Sequence, residues 1–305
     1  MALSPHTENV LGWHASVLDA AERLRPMPQT LPRLLAAAGS PTTGITDICD
    51  VIGHDQVLGA NILRIANSAW AHSRAPIGTI EGAVIRLGTS LVVTIGLGLA
   101  VGEELARPLS SYSFDNDDPW CHACTASLAA EVLRDASTAG IPAETPAAAL
   151  VHDIGKVVLD SLMVPEQALI MQRACGAGAP LVEAELEALE LDHAEVGAAI
   201  TRSWRFPDPI TWAIQHHHDP IEQMVEDKLS CALHLSDVLA HLVGYDVGRL
   251  AAERPAAAGQ AATALEALGI SPGLLPDLVV ELEQRTNERA ALFNAIRTSG
   301  AATRN

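Results

Sequence analysis

Aromatic residues are scarce in this chain of 305 residues, at 3%, and no stretch alternates polar with apolar residues for long. Both absences speak against strands, and abundant Ala and Leu add helix propensity, so the composition predicts an all-α protein. Positive charge is also in deficit: 19 Lys and Arg face 37 Asp and Glu, a formal net charge of -18. A general nucleic-acid binder needs a basic face to displace counterions, so that class is excluded. Docking on an anionic membrane surface is disfavoured for the same reason. The N-terminus has neither a basic region nor an apolar run, and no signal peptide is read there. The most lipid-like stretch, Leu87 to Gly102, falls short of the roughly 18–20 residues of a membrane span. It carries Gly88, Gly96 and Gly98, and reads as a core helix. Five cysteines, an odd number without a regular framework, fit a reducing cytoplasm rather than a disulfide scaffold. Cys121 and Cys124 form a C-x-x-C with no second pair and no βαβ surroundings. They read as small helix residues.

What the chain does contain is the stretch from Ala147 to Leu159. Leu150, Ile154, Val157 and Val158 recur at helical spacing, which predicts a buried helix. His152, Asp153 and Lys156 lie inside it. A carboxylate in apolar surroundings costs several kcal/mol unless a cation, a metal or a dense hydrogen-bond shell compensates it. Gly155 adds about 1 kcal/mol of helix penalty relative to Ala, which implies that something approaches the backbone closely there.

An opening amphipathic helix ends near Pro26 and Pro28. Short helices follow over Leu31–Ala38, Ile45–Ile52 and Val57–Ala66, separated by turn signals. Asp55 is a cap for the third of these, so His54-Asp55, a second such dipeptide, reads as capping and surface. Pro76-Ile77-Gly78 and Thr79 open the next helix. Between Pro108 and Pro119 the composition turns to Ser, Asp, Asn and Tyr, with Asp115, Asp117 and Asp118 close together, the best candidate boundary. Beyond it, helices are expected over Trp120–Asp135, Ala147–Leu162, Pro165–Ala174, Leu181–Trp204, Asp208–His217 and Ile221–Val243. A last helical segment, Ala251–Ile296, is broken at Gly269 and at Ser271-Pro272-Gly273. The expected organisation is an N-terminal helix (1–30), an N-terminal helical half (31–115), a second half carrying the polar residues (116–245) and C-terminal helices (246–305).

His and Asp candidates concentrate in the second half: His122, His152-Asp153, His193, the triplet His216-His217-His218, and Asp237. Each falls on or at the end of a different expected helix, as ligands do when helical bundles assemble metal sites. A single core histidine is ordinarily just hydrogen-bonded, and a His triplet suits a helix C-terminus. Several together with two aspartates on successive helices are harder to explain that way. The residues leave three readings open: a metal-dependent phosphohydrolase, a binding module without turnover, and a helical protein whose polar core groups bond to each other.

The order His, His-Asp, His, His-His, Asp resembles the HD superfamily of metal-dependent phosphohydrolases. More closely, the chain resembles the HDOD family of bacterial signalling proteins. The likeness rests on Leu63-Arg64-Ile65-Ala66-Asn67-Ser68-Ala69, Ala83-Val84-Ile85-Arg86-Leu87-Gly88, His152-Asp153-Ile154-Gly155-Lys156, Asp192-His193-Ala194-Glu195-Val196-Gly197-Ala198, Trp204-Arg205-Phe206-Pro207 and His217-His218. It extends from about Leu31 to His241. The resemblance implies an N-terminal helical subdomain packed on an HD-type bundle. It places His122, His152, Asp153 and Asp237 on one metal, with Asp153 able to bridge to a second position completed by His193, His217 and His218. Which two of the triplet His216–His218 ligate stays open, the latter two being preferred because an acidic residue and Pro follow. Asp153 and Lys156 are the expected catalytic residues, Lys156 lying one turn on with its ammonium able to meet a phosphate oxygen.

Mixed imidazole and carboxylate donors suit one or two divalent ions of Mn, Fe, Co, Ni or Zn. Such ions would acidify a water and clamp a phosphoester. Two departures stand out. The Gly-Tyr-Pro motif of the related cyclic di-GMP phosphodiesterases is missing, the region reading His217-His218-Asp219-Pro220-Ile221-Glu222, so that substrate is not expected. Position 190 is Glu where the family often has Gly. No stretch reads as a DNA-binding, kinase or receiver domain. The resemblance therefore implies a bacterial, cytoplasmic regulator that meets a signalling protein partner or a phosphorylated small molecule.

Overall fold

Side-chain caps open four of the described helices, at Asp55, Thr79, Asp192 and Asp227. A computed structural model describes residues 5–24, 26–68, 76–112, 119–244 and 254–302. Among the described residues there is no strand. The chain begins with α1 (Pro5–Arg23), α2 (Thr30–Ala38), α3 (Ile45–Gly53), α4 (Gln56–Ala66), α5 (Ile80–Leu87) and α6 (Thr89–Leu105). Its second half runs α7 (Pro119–Ala136), α8 (Thr145–Val151), α9 (Ile154–Leu162), α10 (Pro165–Gly176) and α11 (Leu181–Leu189). It continues with α12 (His193–Ser203), α13 (Asp208–His216), α14 (Ile221–Met224) and α15 (Lys228–Leu242). Helices α16 (Arg254–Ala267) and α17 (Leu275–Ala302) close it.

Asp55 caps α4 as expected, its Oδ1 accepting from Leu58 N at 2.9 Å. Thr79 caps α5 through Gly82 N at 3.1 Å. Three stretches expected as single helices are each two. Ala147–Leu162 breaks at His152-Asp153, between α8 and α9. Leu181–Trp204 breaks where Glu190 turns left-handed at φ 57 and Asp192 caps α12 through Glu195 N at 2.8 Å. Ile221–Val243 breaks at Asp227, which caps α15 by accepting from Leu229 N at 3.1 Å. At the second and third of these breaks an aspartate satisfies an orphan N–H of the new helix, whereas Asp153 at the first caps nothing with its side chain.

The apolar run forms α6, which follows α5 after a bend of 106°. Gly88 makes that bend at φ 79, a conformation an L side chain resists. Leu91, Val92, Val93, Ile95 and Leu97 are all buried. Small residues admit the neighbours: a Cβ at Gly96 would meet Leu31 at 2.7 Å, and one at Gly98 would meet Ile296 at 2.8 Å. Among the described residues no single helix is long and apolar enough to cross a membrane.

The second half is assembled around α7, which packs on α8 and α15, while α12 packs on α9 and α13. Helix α1 lies on α12 and α9, and α17 lies across both α6 and α7. One continuous apolar core runs through these layers, from Val17 and Leu34 to Ile296. The acidic boundary expected at Asp115, Asp117 and Asp118 lies outside the described residues, as does Ala69 of the first family-like stretch.

Candidate metal centre

His152 and Asp153 occupy the two-residue break between α8 and α9, with Asp153 at φ -93, ψ 8. Adjacent residues in an unbroken helix diverge by about 100°, whereas this turn delivers both side chains to one place. Gly155 holds the turn. A Cβ there would lie 2.0 Å from the carbonyl oxygen of His193 and 2.8 Å from Gly197 N. Backbone contact therefore sets the start of α9 against the start of α12 and brings Asp153 beside His193. The close approach inferred from Gly155 is the packing of these two helices.

Seven groups converge. His122 Nε2, from α7, lies 3.3 Å from His152 Nε2 and 3.1 Å from Asp237 Oδ1 of α15. It is also 3.6 Å from Asp153 Oδ2. His152 Nε2 lies 3.4 Å from Asp237 Oδ1 and 3.5 Å from Asp153 Oδ1. On the other side, Asp153 Oδ1 is 3.2 Å from His193 Nε2. His217 follows the C-terminus of α13, its ring 5.1 Å from that of His152 and 5.5 Å from that of His193. His218 joins with Nε2 2.9 Å from His193 Nε2. Two donor sets emerge, His122–His152–Asp153 and Asp153–His193–His217–His218, each with candidate ligand atoms within 4.8 Å of one another. Asp153 belongs to both.

His216 takes no part: its Nδ1 pairs with Asp219 Oδ2 at 2.8 Å and its ring lies on Trp212 at 4.0 Å. Lys156 is buried on the expected face, but its ammonium sits 2.6 Å from Asp153 Oδ2. It is held by the shared carboxylate rather than presented to solvent. His218 is exposed, and it opens one side of an otherwise buried cluster.

Periodicity did not reveal four participants. His241 Nε2 lies 3.2 Å from Asp237 Oδ1, and His122, Asp237 and His241 form a third donor set. The i,i+4 spacing of Asp237 and His241 was the available signal. Glu185, fully buried on α11, accepts from His193 Nδ1 at 2.6 Å and from Tyr112 Oη at 2.7 Å. His234 donates from Nδ1 to the His217 carbonyl at 2.8 Å. Nothing local marks Glu185, Tyr112 or His234.

The electrostatics follow from burial and these neighbours. Burial works against charge on Asp153, but His152, Lys156 and His193 together hold it well below the usual carboxylate range. Asp237 is held down likewise by His241, His122 and His152 against its burial. Burial lowers His217 far below an ordinary imidazole, and the neighbouring His152 and His193 add to this. For His193 burial is overcome, chiefly by Glu185, and the value rises to about 9.

The donor chemistry fits a divalent transition ion. His152 and His217 donate Nδ1–H to the carbonyls of Ala149 and Ile214, each at 2.7 Å, which leaves the Nε2 lone pairs facing inward. That tautomer is the one metal-bound imidazoles adopt. Among the described residues, buried His217 Nε2 finds no hydrogen-bond partner. Facing lone pairs at such distances repel unless a proton or a cation lies between them, and imidazole with carboxylate suits Mn, Fe, Co, Ni or Zn.

Fold and site together define an all-helical protein with an HD-type cluster of histidines and aspartates. The HDOD domain family matches residues 24–220, more than half of the chain. The chain belongs to the HDOD domain family. It is 27% identical over 212 residues to an uncharacterized protein of Treponema pallidum (strain Nichols), a match covering 67% of this chain. It spans only 39% of that relative's length. Among solved structures, it resembles a candidate phosphohydrolase of Shewanella amazonensis SB2B at TM-score 0.64 and 24% identity, covering 93% of this chain and 98% of that one. It also resembles a candidate signal transduction protein of Marinobacter aquaeolei VT8 at TM-score 0.70 and 21% identity, covering 94% of this chain and 66% of that one. At these identities the likeness shows the fold.

Proposed function

We propose that this protein is a regulatory HDOD protein that holds one or two divalent transition-metal ions, and that it hydrolyses a phosphorylated small molecule at that centre. One observation carries the reading: two donor sets share Asp153, and one of them reaches solvent through His218. His122, His152 and Asp237 would hold the first ion, and His193, His217 and His218 the second, with Asp153 between them. Ions so held supply an acidified water and Lewis-acid contacts to a phosphoester. The chain's own part is to keep Asp153 ionised, with His152 and the Lys156 ammonium beside it, and to aim Nε2 of His152 and His217 inward by anchoring their Nδ1 atoms.

Metal analysis of protein purified without chelator tests this, beside the His152→Ala, Asp153→Ala double variant. At least one equivalent of transition metal per chain is expected in the native protein and none in the variant. Hydrolysis of bis-p-nitrophenyl phosphate is expected to rise on adding Mn²⁺ and to vanish in the variant. A native protein that takes up no metal defeats the proposal.

A second reading has one observation of its own. Lys156 is closed on Asp153, so no described ammonium at the cluster is free for a phosphate. A non-catalytic module, with the HD residues serving structure and a signalling protein as partner, would need none. Bound metal without turnover, together with partner binding lost in the double variant, selects this reading.

A further inference from the structure

Three buried imidazoles at or beside the cluster anchor Nδ1 on a main-chain carbonyl: His152 on Ala149, His217 on Ile214 and His234 on His217. His193 alone among these described anchors uses a carboxylate, Glu185 Oε2, at 2.6 Å. The same oxygen accepts from the His193 backbone N at 3.0 Å, so ring and main chain are held by one group. Glu185 is fully buried on α11, where no solvent stabilises its charge. Its other oxygen accepts from Tyr112 Oη at 2.7 Å, and Tyr112 is fully buried too. Tyr112 ends the 3-10 turn Ser110–Tyr112, which is fastened to α9 by Ser111 N donating to Asp160 Oδ1 at 2.6 Å. A charge buried this deeply, its described hydrogen bonds all directed at one histidine and one phenol, is costly to the fold.

We propose that Glu185 is a positioning residue for the metal position formed by Asp153, His193, His217 and His218, and that it makes this the tighter of the two positions, filled first. The inference rests on the metal reading above. Two physical effects support it. The double grip on His193 removes the ring's rotational freedom and fixes the tautomer with Nε2 toward Asp153. A carboxylate acceptor also polarises the imidazole more than the neutral carbonyls behind His152 and His217 do, which makes Nε2 a stronger donor. Tyr112 keeps the carboxylate in place by donating to its second oxygen.

The test is a Co²⁺ titration of the chelator-treated 305-residue chain, followed by calorimetry and by visible d–d absorption. Native protein is expected to bind a tight equivalent ahead of a weaker one. Glu185→Gln, which keeps an acceptor but loses the charge, should weaken the tight equivalent about 10- to 100-fold and leave the weaker one within about twofold. The d–d spectrum of the first equivalent should change as well, which a merely structural role would not produce at unchanged circular dichroism. Tyr112→Phe, nearly isosteric, should weaken the same equivalent by less. Unaltered affinity in Glu185→Gln overturns the proposal, and so does unaltered affinity in Tyr112→Phe should Glu185→Gln not fold. A native chain that binds no cobalt overturns the metal reading itself, which separates the two failures.

Discussion

Burial and the Glu185 carboxylate act in opposite directions on His193, and the carboxylate prevails, with a value near 9 against 6.5 for an ordinary imidazole. A folded-state value above the unfolded one contributes stability that is complete below about pH 6.5 and is lost as pH rises through about 9. Metal binding needs the unprotonated ring. The metal-free chain should therefore lose thermal stability between about pH 6.5 and 9, read by calorimetry on chelator-treated protein. Metal affinity should rise across the same window, by about tenfold per pH unit for each proton displaced. An affinity that is flat with pH would contradict this. Asp153 and Asp237 do not confuse the measurement. Their values are depressed, so their contribution is lost only as pH falls well below 4.

The pairing of α9 with α12 depends on an absent side chain. With a Cβ at position 155 lying 2.0 Å from the His193 carbonyl, neither helix can keep its place. Gly155→Ala should destabilise the protein by about 3 kcal/mol, the upper end for overpacking, because the clash is with backbone rather than a flexible tip. The urea midpoint would report it, and bound metal should fall with it, since the same contact sets Asp153 beside His193. A variant as stable as the native protein would show that the helices are placed by something else. Glu190 illustrates the same economy at a helix end. Its left-handed φ of 57 is where glycine is favoured, which gives a physical reason for the residue often found there in the family.

Helix α17 ties the molecule together. Phe293 meets Trp120 of α7 edge-on at 6.2 Å, and Ile296 lies within 2.8 Å of where a Cβ on Gly98 of α6 would be. Arg285 and Arg289 reach Asp135 and Glu131 of α7 at 2.8 and 2.5 Å. The Arg285–Asp135 pair, exposed on its aspartate side, contributes at most about 1 kcal/mol, and the apolar contact carries most of the attachment. Phe293→Ala should cost about 3–5 kcal/mol, as large core truncations do. Because one core runs through both halves, thermal unfolding should stay a single transition. Two separate transitions in the variant would show that the halves fold independently.

Much of this was legible along the chain, where the controlling forces are local. Composition and helical periodicity determined the all-α class and most helix positions, and the caps at Asp55 and Thr79 were readable from their own neighbours. The co-occurrence of His122, His152-Asp153, His193, the triplet His216–His218 and Asp237 on successive helices nominated one cluster, and the family resemblance named its ligands, with His217 and His218 preferred from the triplet. Periodicity alone could not place the breaks at 152–153, 190–192 and 227, because an aspartate within a helical pattern reads equally well as a surface residue. Only the packed structure decided that Lys156 closes on Asp153, that His216 turns to Asp219, and that Glu185, Tyr112 and His241 stand behind or beside the ligands. Those outcomes depend on distances between groups far apart in sequence, set by how α7, α9, α11, α12 and α15 meet, and no local pattern encodes such distances.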